Sequence, residues 1–432
     1  MIGRGCDVLV ICGIDYLIPE DSPDFSHHSY SIMIQRRNFL QAAAWTAGTL
    51  PAISFAAGNR PKVGIIGAGI IGAAIAAYLV DAGAEVVIFE KDEPASGATR
   101  ASLAWINPST ANAHYRDLRL ESMGEWLRFE HKLKLDVVWG GSISWSDNEE
   151  KAKNLDKREE VLRASSAAPR HVTQADIKAL SPAMEPGDTK AGFFLPQDGH
   201  VDPVETTRKI LAYAVAKGAR LLYPCAVDEI VRAHGQIKSV RTAQGEFALD
   251  YLVSACGTDT SAMLEKVGVK IGMNAVPGLK IHTQPIAATT RMVYDFSSAL
   301  EWKQMPNGEA VAIYVGGPPK SPVHAPVFAG TLRSHPTQEL AAMHGESLKA
   351  KVAKYWPALQ DAQVKSVVVG YRPMPLDGLP MIGQVPGVQG MYMVATHSGV
   401  TLAPLLGKYA AQEILTREKA LVLAKYRPER FL

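Results

Sequence analysis

Three glycines and one acid near the start of the chain have the spacing of a nucleotide site. Gly67, Gly69 and Gly72 form the pattern Gly-x-Gly-x-x-Gly between a short apolar strand and an alanine-rich helix, and a second strand ends at Glu90. The first glycine permits a tight turn, the second lets the backbone approach a pyrophosphate, and the third lets helix and strand pack closely. The helix N-terminus offers N–H groups to phosphates, and Glu90 is placed to accept hydrogen bonds from a ribose diol.

A guanidinium stands just after a second apolar run. Arg372 follows SVVVG within the segment GYRPMPLDGLPMIG. A buried strand that ends in arginine requires an anion nearby, because an unpaired buried charge is costly. Two anions remain open, a substrate carboxylate and the carboxylate of Asp377 in the same loop, and a bidentate pair suits either of them. A cofactor phosphate is disfavoured, because the glycine turn already provides a phosphate site.

The C-terminal part of the chain supplies a second helix N-terminus. A strand predicted at Met391–Ala395 leads through His397 to Gly399, Val400 and Thr401, which open a helix. The first amides of that helix would receive an electron-rich group. A typical NAD dehydrogenase does not need such a returning segment, whereas the longer FAD needs walls at both its adenine and its isoalloxazine ends. The sequence therefore favours FAD, and the acid after the second strand disfavours a phosphorylated ribose.

Composition bounds the class of protein. The 432 residues suffice for two domains, and the hydrophobic and charged fractions, 47% and 20%, are those of an ordinary globular enzyme. The net charge of +2 comes with no basic block, which argues against a nucleic-acid partner. The four cysteines have no Cys-x-x-Cys spacing, which argues against a zinc site or a disulfide framework.

The first 57 residues are interpreted as a leader and not as part of the fold. From Met33, the expected start, an Arg36-Arg37 pair precedes Phe39-Leu40 and a moderately apolar run that ends in Ser54-Phe55-Ala56. This order is that of a twin-arginine export signal and predicts a periplasmic protein. The alternatives are a chance arginine pair before a membrane anchor, or a cytoplasmic protein. No later apolar run has the length of a membrane span.

Four stretches together resemble the D-amino-acid oxidase superfamily of FAD-dependent oxidoreductases, nearest to its glycine oxidase and D-amino-acid dehydrogenase branch. They are residues 67–90, ASGATRASLA, LPQDGHVDPVETTRKILAYAVAKGARL, and GYRPMPLDGLPMIG with THSGVTLAPLLG. The resemblance implies an α/β (α+β) fold, in which a Rossmann-like FAD-binding domain of the glutathione-reductase type is interleaved with an antiparallel-sheet substrate domain. The expected boundaries are 61–110, 191–260 and 365–432 for the FAD-binding domain, and 111–190 and 261–364 for the substrate-binding domain.

The resemblance also implies which residues form the site. Those that match cofactor-binding positions are Gly67, Gly69, Gly72, Glu90, Ser96, Thr99, Ser102, Val227, Gly257, Gly399, Val400 and Thr401. Arg372 matches the arginine that pairs with the substrate carboxylate in amino-acid-oxidising members. No histidine stands beside SGATRAS, where covalently flavinylated relatives carry one. FAD is therefore expected to be held non-covalently, and no metal is expected.

Several other side chains have two interpretations. His397 is a candidate catalytic residue, but its loop position favours a flavin neighbour over a proton-transfer role. His200 lies either over the flavin or in a satisfied turn, and His282 is more simply a packed strand histidine than an active-site residue. Cys256 is interpreted as a small buried filler. No tyrosine matches the active-site tyrosine of the family with certainty, and the candidates are Tyr294 and Tyr314.

The predicted function is oxidation of the C–N bond of an amino acid or related amine by FAD. The imine product would be hydrolysed to a keto acid and ammonia or an amine. Two alternatives stay open, an oxidase of a secondary amine that lacks a carboxylate and a non-catalytic flavin-binding subunit. The electron acceptor is expected to be oxygen or a quinone, the latter with peripheral membrane contact.

Overall fold

The glycine-rich stretch forms the β–α–β unit that its sequence predicts. In the computed structural model, the apolar strand Lys62–Ile66 ends in the glycine turn, and helix Ile70–Asp81 follows. Strand Glu85–Phe89 then returns parallel to the first strand and delivers Glu90 to the same edge of the sheet. The carboxyl edge of a parallel sheet is where such folds bind ligands.

The structure describes residues 60–297, 299–332 and 335–432. The predicted leader, residues 1–57 with Met33 and Arg36-Arg37, lies outside these described residues. Among the helices that the structure describes, none is both long enough and apolar enough to cross a membrane.

The strands, in chain order, are β1 Lys62–Ile66, β2 Glu85–Phe89, β3 Trp105–Ile106, β4 Ser142–Ser146, β5 Arg170–His171, β6 Ala191–Leu195, β7 Gly199–His200, β8 Arg220–Leu222, β9 Glu229–Ala233, β10 Gln236–Thr242, β11 Gly245–Ala248, β12 Tyr251–Ser254, β13 Met273–Thr283, β14 Val293–Phe296, β15 Leu300–Gln304, β16 Ala310–Tyr314, β17 Val364–Pro375, β18 Met381–Gln384 and β19 Met391–Ala395. They assemble into four sheets.

The α-helices are α1 Ile70–Asp81, α2 Ala98–Ala101, α3 Ala113–Leu133, α4 Glu149–Arg163, α5 Gln174–Leu180, α6 Pro203–Ala216, α7 Thr260–Glu265, α8 Ala325–Phe328, α9 Gln338–Ala353 and α10 Gly399–Thr416. Single-turn or two-turn 3-10 segments lie at Gly257–Asp259, Pro322–His324, Pro357–Leu359, Leu421–Tyr426 and Pro428–Phe431.

The first large sheet carries the nucleotide motif. Its order is β18-β19-β12-β1-β2-β8, and its strands run parallel except for β18. Apolar residues on one face pack against the small sheet β11-β10-β9, and α1 packs against α6 and α10. Helices α1 and α10 approach closely at Gly407, where an added Cβ would lie 2.8 Å from the backbone of Ala74. Both helices start at the same edge of the sheet, because the strands that precede them, β1 and β19, run in the same direction.

The second large sheet has the order β17-β13-β16-β15-β14-β4-β6-β5, mostly antiparallel. Strand residues alternate between two faces. One face forms an apolar core with α9, in which Trp145, Tyr294 and Trp302 are fully buried. The opposite face carries charged residues, and it meets α2 of the first domain. The predicted combination of a Rossmann-like domain with an antiparallel sheet is thus confirmed.

Two predicted domain boundaries differ from the structure. Residues 191–195 and 365–375 were assigned to the FAD-binding domain, but they form β6 and most of β17 within the second sheet. The SVVVG run thus continues through Arg372 without a break, because β17 pairs with β13 along its whole length. Composition does not reveal this, since a long strand that crosses between domains has the same apolar pattern as one inside a domain.

Candidate active site

The backbone of the glycine turn packs so tightly that two of its positions leave no room for a side chain. Gly67 has a φ of +106°, and a Cβ there would lie 2.5 Å from the carbonyl oxygen of Ala255. At Gly72 a Cβ would lie 2.0 Å from the oxygen of Gly67. The N–H of Ile70, in the first turn of α1, donates to Thr99 Oγ1 at 3.2 Å. Strand, turn and helix are therefore held at the separation that a pyrophosphate site requires.

Glu90 is fixed by the backbone around it. Its Oε2 accepts the N–H of Ala68 at 2.8 Å, and its Oε1 accepts the N–H of Asp92 at 3.0 Å. The residue is 8% exposed. A carboxylate oxygen has a second lone pair, so both oxygens remain able to accept hydrogen bonds from a diol in the adjoining cavity.

One cavity brings together most of the predicted cofactor-binding residues. The predicted residues that line it are Gly67, Gly69, Glu90, Ser96, Thr99, Ser102, Val227, Gly257, His397, Gly399 and Val400. Gly72 and Thr401 do not line it. Gly72 packs against the backbone of Gly67, and the hydroxyl of Thr401 donates to the carbonyl of Trp105 at 3.1 Å. Arg372 does not line it either, but its neighbours Tyr371 and Pro373 do.

Helix α10 presents its N-terminus to the end of the cavity that holds His397. Gly399 and Val400 line the cavity, and the preceding Ser398 makes no side-chain cap. The helix is held in place from α3, where Ser122 Oγ donates to the carbonyl of Thr401 at 2.7 Å and the Trp126 indole donates to the carbonyl of Val400 at 3.0 Å. Free amides and the helix dipole thus favour negative charge at this end.

Arg372 is not held by the carboxylate that the sequence offered as an alternative. Asp377 accepts two hydrogen bonds from Arg430, at 2.7 and 3.1 Å, so the Arg372–Asp377 pair is wrong. Arg372 instead donates through Nη1 to the carbonyl of Val315 at 3.1 Å and, at 3.5 Å, through Nη2 to the carbonyl of Pro277. Its Nε is buried without a partner. Among the described residues, no carboxylate forms an ion pair with this guanidinium.

His397 is a neutral side chain at the same end of the cavity. Its Nδ1 lies 3.4 Å from Ser398 Oγ, and the residue lines the cavity, where part of its surface is exposed. Burial, and then the positive charges of Arg372 and Arg119, lower the pKa of His397 to about 4. The imidazole is therefore uncharged at neutral pH and does not supply a proton there.

A model of the FAD dependent oxidoreductase family, named DAO, matches residues 62–413. The chain belongs to this family. Glycine oxidase from Geobacillus kaustophilus (strain HTA426) is 25% identical over 382 residues, which cover 85% of this chain and 96% of that protein. The match confirms the predicted family and, with it, an FAD-dependent oxidoreductase.

Solved structures agree on the fold. The crystal structure of glycine oxidase from Geobacillus kaustophilus superposes with a TM-score of 0.77 and 23% identity, covering 86% of this chain and 99% of that one. The crystal structure of L-proline dehydrogenase from P. horikoshii gives a TM-score of 0.74 and 22% identity, and the match covers 86% of this chain and 98% of that one. At this level of identity the likeness concerns the fold.

The cavity of this oxidoreductase fits FAD. The glycine turn and the α1 N-terminus would hold the pyrophosphate, Glu90 the ribose, and residues 225–227 the adenine end. The first turn of α10 would adjoin the flavin, whose reduced form carries negative charge. Desolvation raises the pKa of the Cys256 thiol to about 12, so this half-buried cavity residue stays protonated at neutral pH.

Two other predicted candidates lie away from the cavity. Tyr294 is in the apolar core, where its hydroxyl contacts Ser181 and Thr290, and it is not an active-site residue. The Nδ1 of His282, on β13, lies 2.9 Å from Glu309 Oε2, which agrees with a packed strand histidine.

His200 and Tyr314 also lie outside the cavity that the cofactor-binding residues line. His200 is buried, and its Nε2 lies 3.2 Å from the carbonyl oxygen of Arg291. The ring of Tyr314 packs edge-on against that of His344, with 5.6 Å between centroids. Neither residue contributes to the wall of the nucleotide cavity.

Sequence reasoning missed a cluster of charges beside Arg372. Arg158 forms an ion pair with Asp295 at 2.7 Å. Arg119 donates to the carbonyl of Ser109 at 2.7 Å and to Asn107 Oδ1 at 2.9 Å. Both arginines lie on helices with many charged residues, where they resemble solvent-facing positions. The sequence did offer one signal for this cluster. Glu301, a charged residue of β15, lies between two apolar core residues.

Proposed function

We propose that this oxidoreductase oxidises the Cα–N bond of a small amino acid or N-alkyl amino acid, with Arg372 holding the substrate carboxylate. One observation carries the proposal: next to the flavin end of the cavity stands a half-buried guanidinium whose Nε is unpartnered and which forms no ion pair with a carboxylate of the described residues. A bound carboxylate would supply the missing charge in the bidentate geometry that arginine favours. The glycine oxidase and L-proline dehydrogenase named above act, by their names, on molecules of this class.

The chemistry divides between cofactor and protein. Bound FAD would supply a two-electron acceptor for the hydride that leaves the substrate Cα, so that the neutral amine becomes an iminium ion, the protonated form of the imine. Water then hydrolyses the imine to a keto acid and ammonia or an amine. Arg372 orients the substrate by its carboxylate, the neutral His397 fills the flavin end without adding charge, and the α10 amides stabilise negative charge there.

The test uses purified protein with its flavin and a panel of amino acids of both hands, N-methylated amino acids and carboxylate-free amines. We expect anaerobic bleaching of the flavin by at least one carboxylate-bearing substrate. Arg372→Met should raise the KM or the Kd for reduction roughly 100-fold, since a desolvated charge pair loses a partner, and Arg372→Lys should lose less. The matched control is Asp377→Asn, which disturbs only the Arg430 pair and should leave affinity unchanged.

Two results contradict the assignment. An apparent substrate affinity that Arg372→Met leaves unchanged would mean that the guanidinium does not bind the carboxylate. A flavin that no amine or amino acid bleaches would instead favour a non-catalytic flavin-binding subunit. The rate of reoxidation separates an oxidase from a dehydrogenase with peripheral membrane contact. It is measured once with dissolved oxygen and once with a quinone presented in lipid vesicles.

We also propose that the protein is exported by the twin-arginine route to the periplasm. The support is the order of Arg36-Arg37, an apolar run and a small-x-small end, together with the use of this route by proteins that fold around a cofactor before they cross the membrane. Residues 33–60 fused to a reporter should direct it to the periplasm, and replacing both arginines by lysine should abolish this. Equal export of the lysine pair would overturn the proposal, and retention of the wild-type fusion in the membrane would indicate an anchor.

A further inference from the structure

Glu301 stands on the charged face of the second sheet, on the same side as Arg372. Its neighbours in β15, Leu300 and Trp302, belong to the apolar core, so the alternation of the strand directs Glu301 to the opposite face. Across the sheet it pairs with Ile313 of β16 on one side and Asp295 of β14 on the other. The glutamate is therefore held on a rigid central strand and faces the cofactor-binding domain.

Within the part of the chain that the structure describes, the Glu301 carboxylate has no hydrogen-bond or ion-pair partner. Its cross-strand neighbour Asp295 is already engaged by Arg158, at 2.7 Å, and by the hydroxyl of Ser144, at 3.3 Å. Because taking a carboxylate partly out of water without a partner is costly, the half-buried Glu301 resembles a binding position more than a structural one.

The charges that face Glu301 come from four elements. Asp295 of β14 is negative, and Arg158 of α4, Arg372 of β17 and Arg119 of α3 are positive. Burial first, and then Asp295, raise the pKa of Glu301 to about 8, against the effect of the three arginines. The carboxyl group is thus poised to exchange a proton near neutral pH, in the range where an amine can lose one.

Arg372 and Glu301 lie on either side of the end of β16 and the residue that follows it. The guanidinium reaches across β13 to the carbonyl of Val315, two residues beyond Ile313, which is the cross-strand neighbour of Glu301. Two residues of a strand span about 7 Å, a distance that two long side chains and a zwitterion can bridge. An anion site and a proton-accepting carboxylate are therefore adjacent.

We propose that Glu301 binds the substrate amine and takes one proton from it, while Arg372 holds the carboxylate. The proton passes from the ammonium nitrogen to a carboxylate oxygen of Glu301, which leaves the amine neutral with its lone pair free; no other bond changes in this step. The inference rests on the proposed function, since it assigns the second recognition point of the same substrate. It also explains how a substrate that arrives as an ammonium ion reaches the form that can be oxidised.

The test compares paired probes in the wild type, Glu301→Gln and Glu301→Asp. Glycine is paired with glycolate, N-methylglycine with methoxyacetate, and L-proline with cyclopentanecarboxylate, so that each pair differs in its amine. Binding is measured anaerobically, from the visible spectrum of the bound flavin or from the concentration dependence of its reduction. Glu301→Gln should weaken the amino probes at least tenfold and leave their amine-free partners within about twofold, whereas Arg372→Met should weaken both.

The pH profile gives a second readout that a merely structural role would not move. Because the free enzyme must carry ionised Glu301, kcat/KM should rise with pH through about 8. Glu301→Gln should lose this rise and keep only the titration of the substrate amine, while Glu301→Asp should retain part of it. The matched control is Glu309→Gln, a carboxylate that pairs with His282 and Lys365 and should not change the discrimination between paired probes.

The outcomes separate this inference from the proposed function. If wild-type flavin responds to amino acids but Glu301→Gln weakens both members of each pair equally, or neither, Glu301 does not bind the amine and only this inference fails. If no amino acid reduces the wild-type flavin, the proposed function fails and the role of Glu301 fails with it. Flavin content and thermal unfolding of each variant show that the comparison is made on folded protein.

Discussion

At the scale of single residues, the site combines charged groups with one neutral imidazole. Arg372 and the amides of α10 supply positive potential, Glu301 is a carboxyl group with a raised pKa, and His397 is neutral. The histidine is kept neutral by burial and by the same arginines that make the site attractive to a carboxylate. A charged imidazole here would add to a cluster that already holds several cations.

His397 should therefore be silent in the pH profile above pH 5.5. Its pKa is lowered from 6.5 to about 4, so almost no imidazolium exists at pH 6.5 and the group takes up a proton only in more acidic solution. We expect His397→Asn, also neutral, to reduce kcat by a few-fold through lost packing and to leave the shape of kcat/KM from pH 5.5 to 9 unchanged. An acid limb near pH 6.5 that disappears in the variant would contradict this.

At the scale of elements, the site depends on two helices that begin at one edge of the first sheet. Helix α1 starts at the glycine turn and α10 starts at Gly399, and their close contact at Gly407 fixes the distance between the two N-termini. With FAD bound, one N-terminus would adjoin the phosphates and the other would adjoin the flavin. Their spacing is thus a property of the helix pair rather than of either loop.

Gly407→Ala should disturb both ends of the cofactor at once. The added Cβ would lie 2.8 Å from the Ala74 backbone, so the helices must separate. We expect a loss of about 1–3 kcal/mol in the free energy of unfolding and weaker FAD retention, measured by chemical denaturation and by flavin released on dilution. Gly316→Ala is the control, since a Cβ there contacts nothing within 4 Å. Equal effects of the two substitutions would contradict the explanation.

Sequence reasoning succeeded where chemistry is local. The glycine turn, its flanking strands and the α10 N-terminus depend on residues close together in the chain, and β19 was predicted with its observed bounds, Met391–Ala395. It failed where distant strands meet. Nothing near Arg372 shows that Asp377 is taken by Arg430, and nothing near Glu301 shows that Asp295 and Arg158 stand beside it. Such pairings are set by sheet order, which local patterns do not encode.

At the scale of the whole molecule, the two large sheets meet at the segment around α2, which forms a wall that they share. The flavin-side segment around α2 belongs to the first domain, yet Lys280 of β13 donates to its carbonyls at Arg100, 2.6 Å, and Ser102, 2.9 Å. A Cβ at Gly370 of β17 would lie 2.0 Å from Ala101 Cβ. The cofactor-binding segment is therefore positioned partly by the substrate-binding sheet, and neither domain completes the site alone.

This shared wall bears on how the enzyme could acquire a new substrate. Replacements on β13 or β17 that reshape the pocket would also shift the segment that borders FAD, so altered selectivity there would come with cofactor loss. Strands β14 and β15 stand further along the same face, where Asp295 is bonded to Arg158 and Ser144 of its own domain. A laboratory search for altered amine selectivity should find its tolerated changes on those two strands.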